Sequence, residues 1–206
     1  MNQKLIIGVL GLQGAFSQHL EVLADLGVQT RRVRLPEDLV GLDGIILPGG
    51  ESTTMSNLLI TSGLLEPLVA ALKDGLPAFG TCAGLILLSS KILDGRPDQV
   101  RLNVLDTTVR RNGYGRQLDS FECDVVVSDL LEPFHAVFIR APIIEDVGES
   151  VRVLARVDSH PVLVQQGHIM ASSFHPELAN DGRIHQRFVD LVREHRSSRE
   201  SLQSIK

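Results

Sequence analysis

The sequence predicts an α/β fold on a mixed, mostly parallel central sheet, and three observations carry that expectation. Short apolar runs alternate with helically periodic segments through the first half, the pattern of parallel strands joined by right-handed crossovers. The first strand-like runs are apolar at almost every position, as strands buried on both faces are. After Arg96 the helical stretches thin out and strand-like runs follow one another, which suggests antiparallel strands added to the parallel core.

The elements follow in order. Residues 4–10 (KLIIGVL) read as a buried strand, and residues 11–14 as a turn. Phe16, Leu20, Leu23 and Leu26 recur at helical spacing and stop at Gly27, a plausible C-cap. Residues 29–33 and 44–47 read as strands, the second closed by Pro48-Gly49-Gly50. Helices are expected over 53–60 and 65–72, a short strand over 77–80, and a further helix over 83–89. Strands then follow at 104–110, 121–127, 137–139, 151–157, 162–166 and 169–172. A closing amphipathic helix is expected over 183–194, with Ile184, Phe188, Leu191 and Val192 on one face. Residues 1–196 read as one domain, and 197–206 as a polar tail that frays.

Composition narrows the class. The chain has 206 residues, 43% hydrophobic and 22% charged, the balance of a globular domain large enough to cover a sheet on both faces. Its formal charge of -5 gives no general attraction to nucleic acid or anionic membrane. Two cysteines, Cys82 and Cys123, make no disulfide framework and suit a reducing compartment, so a cytoplasmic location is expected. The run from Leu5 to Leu12 is short and broken by glycines. It reads as a strand rather than a signal peptide, and no stretch approaches the ~20 apolar residues of a membrane span.

The segment Gly80-Thr81-Cys82-Ala83-Gly84 lies between a strand and a helix. It is the thiol form of the G-x-S-x-G elbow, in which small neighbours permit a sharp turn that exposes the nucleophile. A lone cysteine in an apolar segment is ordinarily a core residue, but the flanking glycines and the strand-turn-helix setting favour a nucleophile. The helix start favours a thiolate, and the Ala83 N–H points where an oxyanion would form. In Ser173-Phe174-His175-Pro176-Glu177, proline disfavours helix at His175. An extended tripeptide would place His175 and Glu177 on one face, a carboxylate orienting an imidazole. Alone, H-P-E fits a surface ion pair as well; beside the elbow it completes a triad. Gly49-Gly50 leaves an unhindered backbone whose N–H could supply a second oxyanion donor, while Ser52 could cap the next helix. This turn lacks the lysine and glycine spacing of a phosphate loop. The other histidines, at 19, 135, 160, 168, 185 and 195, form no convincing metal set. Cys123 reads as structural, and Arg31, Arg32 and Arg34 as a solvated basic face or a partner contact.

Together GTCAG, PGGES and SSFHPEL resemble the class I glutamine amidotransferases. GVLGLQGAFSQH, LPGGESTT, FGTCAGLILL, RRNGYGRQLDSFE and VFIRAP resemble most closely the vitamin B6 branch of that family, the glutaminase subunits of pyridoxal 5'-phosphate synthases. The resemblance runs from Gly8 to Leu178. It implies a three-layer α/β/α sandwich and hydrolysis of L-glutamine to glutamate and ammonia by Cys82, His175 and Glu177. It further implies glutamine contacts from Gly50, Glu51, Ser52, Arg111, Ile139 and Arg140, and oxyanion donors at Gly50 and Ala83. Gln13 matches a residue near the contact with the synthase, and Gly113 and Tyr114 fall at variable positions. No metal or organic cofactor is implied. The implied partner is a barrel-shaped synthase subunit, in a large hetero-oligomer, that uses the ammonia to build pyridoxal 5'-phosphate from a pentose phosphate and a triose phosphate. A lone chain would be a poor glutaminase until that subunit engages it. Two alternatives stay open: a glutaminase for another synthase, such as that for imidazole glycerol phosphate, and a non-catalytic binding protein on the same fold.

Overall fold

The computed structural model describes residues 4–96, 99–111 and 120–203. The motif residues Gly113 and Tyr114 lie outside them. The principal sheet has seven strands in the order β10-β11-β12-β4-β3-β1-β2. These are β1 (Ile6–Leu10), β2 (Gln29–Val33), β3 (Gly44–Leu47), β4 (Ala78–Thr81), β10 (Arg152–Val157), β11 (His160–Gln166) and β12 (Ile169–Ser172). The run from β12 to β2 is parallel, and β10 and β11 pair antiparallel at the other edge.

Strand alternation sends successive side chains to opposite faces. Ile45, Leu47 and Ala78 face one apolar cluster, with α2 (Ser52–Thr61), α3 (Leu65–Lys73) and α4 (Ala83–Leu88). Ile46, Phe79 and Met170 face the other, with Leu23 of α1 (Phe16–Asp25) and Ile184, Phe188, Val189 and Val192 of α5 (Arg183–Gln203). The three layers expected from the resemblance are therefore present. Both sides of β3 are buried, which is why GIIL carries no polar position.

Four expectations need correction. The strands after residue 96 do not all join the parallel core. Strands β5 (Ser89–Ile92), β6 (Leu105–Arg110) and β9 (Ile143–Val147) form a separate three-stranded sheet, and β7 (Ser120–Val125) and β8 (Phe134–Ile139) form a two-stranded one. The sequence pattern does not mark strands β5 and β9, because SSKI continues an apolar helical run and IIEDV turns polar halfway. Helix α5 does not stop at Glu194 but runs to Gln203. Residues 197–201 are exposed, and local pairs such as Arg196–Glu200 support this stretch. Helix α2 is capped by Glu51, not Ser52: its carboxylate accepts the N–H groups of Thr53 and Thr54 at 2.9 and 2.6 Å. Residues Pro176–Leu178 form a short 3-10 turn rather than extended chain. Proline suits the first position of such a turn.

Among the described residues no single helix is long and apolar enough to cross a membrane. Arg31 and Arg32 are not free surface charges. Arg31 donates to the carbonyls of Asp38 and Val40. Arg32 donates to Gly11 O while stacking over Phe16 at 4.2 Å.

Candidate active site

The site forms where β4 and β12 end side by side. Ser172 pairs with Thr81 in parallel register, and the next residue after Thr81 is Cys82, whose N–H donates to Ser172 O at 2.9 Å. A long stretch of intervening chain thus begins and ends at one spot. Cys82 has φ 48 and ψ -101, a left-handed backbone that costs a non-glycine residue about 1–3 kcal/mol. The turn is possible because of its neighbour. A Cβ on Gly84 would lie 2.0 Å from Leu47 O, so only glycine lets α4 start this close to β3.

Past the end of β12, His175 is pinned by its N–H donating to Val137 O of β8 at 2.8 Å. The 3-10 turn brings Glu177 back under it, and His175 Nδ1 donates to Glu177 Oε1 at 2.7 Å. The expected pairing of these side chains is present, reached by a turn rather than a shared strand face. Cys82, His175 and Glu177 are 6%, 7% and 6% exposed, so their interactions are little screened. Burial works to lower the His175 pKa, but hydrogen bonds and charge from Cys82 and Glu177 overcome it and raise it to about 10. Burial likewise disfavours the Glu177 carboxylate, yet His19 and His175 together hold its pKa below the usual value. At neutral pH the imidazole is therefore a cation between a sulfur and a carboxylate.

A cleft of about 420 Å³ opens over the sulfur. Its walls include all six expected glutamine contacts, Gly50, Glu51, Ser52, Arg111, Ile139 and Arg140, together with Gln13, Cys82 and His175. The Gly49 backbone presses on the imidazole: a Cβ there would meet His175 Cε1 at 2.3 Å. Gln13 Oε1 accepts the Glu51 N–H at 3.2 Å, which ties the GLQG turn to the PGGES turn. Burial opposes ionisation of Glu51, but the Thr53 and Thr54 donors outweigh it and depress its pKa to about 2. The Arg111 guanidinium donates to Glu51 Oε1 at 3.1 Å and to Thr53 Oγ1 at 3.2 Å. Ile139 O lies 4.0 Å from the Cys82 sulfur, and the adjoining Arg140 has φ 42. Ala83 adjoins Cys82 as the first residue of α4.

The model of the SNO glutamine amidotransferase family matches residues 9–194. This chain belongs to that family. Within it, the chain is 54% identical over 188 residues to a Mycobacteroides abscessus protein named pyridoxal 5'-phosphate synthase subunit PdxT, covering 91% of this chain and 97% of that one. A Streptomyces coelicolor protein of the same name is 49% identical over 199 residues, covering 96% and 98%. A crystal structure of a glutamine amidotransferase superposes with a TM-score of 0.85 at 49% identity, over 90% of this chain and 98% of that one. A glutamine amidotransferase from Thermotoga maritima, 13% identical, shares the fold with a TM-score of 0.59, over 97% of this chain and 86% of that one.

Two buried histidines stand behind Glu177 that the motifs do not mark. His19 and His185 are fully buried behind Glu177, with His19 Nε2 3.4 Å from Glu177 Oε2. A signal was present: His19 shares the apolar stripe of Phe16, Leu20 and Leu23, and His185 that of Phe188 and Val192. A histidine inside an apolar stripe must find a buried polar partner. Cys123, on β7, is half-buried and distant in role, its thiol pushed up by burial. Among the described residues no group of three or more His, Cys, Asp or Glu could hold a metal ion.

Proposed function

We propose that the chain hydrolyses L-glutamine to L-glutamate and ammonia through Cys82, His175 and Glu177, and delivers the ammonia to a synthase subunit that makes pyridoxal 5'-phosphate. The observation that carries this reading is the convergence of a strained cysteine elbow and a buried His–Glu pair at the ends of two adjacent parallel strands, under a cleft lined by the residues the family resemblance assigns to glutamine.

His175 takes the Cys82 proton, which leaves a thiolate beside an imidazolium. The thiolate attacks the side-chain amide carbon, and the carbonyl oxygen becomes an oxyanion facing the N–H groups of Ala83 and Gly50. Each such donor contributes about 2.7–4 kcal/mol in comparable sites. His175 gives its proton to the departing nitrogen, and ammonia leaves with formation of a thioester. Water, deprotonated by His175, then releases glutamate and restores the thiol. Glu177 orients the ring and supports its charge, as the third member of a triad does. Arg111 offers a cation to the α-carboxylate of glutamine, and the Ile139 carbonyl an acceptor to its amide N–H. No metal or organic cofactor takes part.

The names borne by the relatives support pyridoxal 5'-phosphate synthesis as the destination; the family resemblance supplies a barrel-shaped synthase subunit in a large hetero-oligomer as partner, and the two cysteines without a disulfide framework suit the cytoplasm. Ammonia released into neutral water would be protonated and lose its nucleophilicity, so a closed passage between subunits preserves it. The Gly49 carbonyl accepts the Ala15 N–H at 3.1 Å, which fixes the orientation of the Gly49–Gly50 peptide in the lone chain. Docking of the synthase near Gln13 could turn that peptide and aim the Gly50 N–H at the oxyanion. The test is glutamate release measured with and without the synthase subunit. Strong stimulation is expected; full activity of the lone chain would remove the switch, and no glutamate under either condition would remove the function.

A further inference from the structure

Glu177 has two carboxylate oxygens, and the triad uses one. Oε1 accepts from His175, whereas Oε2 is buried and has no hydrogen bond of good geometry. The polar atom facing Oε2 is His19 Nε2 of α1, at 3.4 Å. That nitrogen also lies 3.3 Å from Thr81 Oγ1 of β4, one residue before the nucleophile. The other ring nitrogen, His19 Nδ1, is 2.8 Å from His185 Nε2 of α5. A continuous line of buried polar groups therefore runs from Cys82 through His175, Glu177 and His19 to His185.

The tautomers along this line can be worked out. If His19 carried its proton on Nδ1, its bare Nε2 lone pair would face a carboxylate. His185 would then have to accept through Nε2 and would bear an N–H on Nδ1, which has no partner. A buried unpaired donor beside a lone-pair clash is the costlier arrangement. If His19 instead carries its proton on Nε2, that N–H lies between two acceptors, Thr81 Oγ1 at 3.3 Å and Glu177 Oε2 at 3.4 Å from the nitrogen. His185 donates from Nε2 to His19 Nδ1, and the atom left unpaired is merely the Nδ1 lone pair of His185.

Resting on the assignment of Cys82, His175 and Glu177 as the triad, we infer that His19 is a positioning residue, a neutral Nε2–H donor to Glu177 Oε2 that locks the carboxylate against His175, with His185 fixing its tautomer. The groups facing the pair are His175 and the Glu177 backbone from the 3-10 turn, Thr81 from β4 and His185 from α5. Burial lowers the pKa of His19 despite Glu177, and burial lowers that of His185 to about 3, so burial favours the uncharged form of both rings. A neutral donor suits this place: a second cation against Glu177 would weaken the support it gives to the His175 imidazolium.

The test compares His19→Leu and His19→Gln in the assembled synthase, with Cys82→Ala as reference. Loss of one hydrogen bond to a charged group should cut kcat about ten- to a hundredfold in His19→Leu, with KM for glutamine nearly unchanged. Glu177 without its donor is easier to protonate, so the acid limb of kcat should move to higher pH. His19→Gln, whose amide N–H can occupy the place of Nε2–H, should recover most of the rate and the pH profile. A folded His19→Leu with normal kcat and pH profile would overturn the inference, as would a His19→Gln no better than His19→Leu. Should either variant fail to fold, ¹⁵N spectra of the native chain decide: a pH-invariant Nε2–H tautomer at His19 supports the role, and an Nδ1–H tautomer refutes it. Full activity of Cys82→Ala would instead sink the triad, a result distinct from any of these.

Discussion

Replacing Gly84 by alanine adds one methyl group where the chain has no room for it. The new Cβ would stand 2.0 Å from Leu47 O and 2.8 Å from Leu47 C, both backbone atoms of β3. Real Cβ contacts essentially never fall below 3.0 Å, so α4 must retreat by roughly 3.0 minus 2.0, about 1 Å. Overpacking of this kind costs about 1–3 kcal/mol, and a backbone obstacle puts it at the upper end. For a chain of this length that is a fall in melting temperature of roughly 2–12 °C. The helix starts one residue past Cys82, so the retreat carries the sulfur and the Ala83 N–H with it. A misplacement of ~1 Å costs about 10²-fold in rate. The assay pairs thermal unfolding by circular dichroism with the rate at which a glutamine analogue labels Cys82. Gly63→Ala is the control, because its φ of +70 strains alanine but its Cβ would meet nothing within 4 Å; it should lose stability and keep labelling. A Gly84→Ala chain with native melting and native labelling would refute the claim that this contact sets the nucleophile.

Other consequences can be measured alongside. Cys82→Ala should abolish glutamate release while leaving the melting curve nearly unchanged, and more than trace activity would remove Cys82 from the chemistry. His175→Asn should be almost as inactive. Because the His175 pKa is raised from 6.5 to about 10, its stabilising effect is complete below pH 6.5 and lost as pH rises through about 10. Native melting should therefore exceed that of His175→Asn most at neutral and lower pH, with the gap closing by about pH 10. Glu51→Ala removes the cap of α2 and should cost about 1 kcal/mol, read from urea unfolding. The Glu51 pKa is depressed from 4.5 to about 2, so the native advantage should hold above pH 4.5 and disappear as pH falls through about 2.

Much of this architecture was legible in the sequence because burial on two faces leaves a strong mark. Runs such as GIIL and KLIIGVL admit few readings, and a cysteine between glycines at a strand-to-helix turn is constrained by the space around it. The HPE pairing was legible as an outcome but not as a route: proline was compatible with both an extended chain and a 3-10 start, and only tertiary packing chose. Strands β5 and β9 were hidden because their partners are remote in sequence and their apolar content is unexceptional. The sequence offers Ser52 as a cap as readily as Glu51; a carboxylate can reach two N–H groups of the first turn where the shorter hydroxyl reaches one. His19 and His185 sit in no motif that marks their role: they match no metal spacing, and the carboxylate facing His19, that of Glu177, lies far along the chain.

The adjacency of β4 and β12 also sets when the site can exist. The thiol emerges from the ribosome long before the imidazole, and the strand that carries the imidazole to its place is the last of the sheet. Until Ile169–Ser172 has docked beside Ala78–Thr81, Cys82 has no proton acceptor and no oriented partner. A nascent or truncated chain ending before that strand should leave a glutamine analogue unreacted. On the proposed chemistry, competence is coupled to completion, and a half-made molecule should release no ammonia.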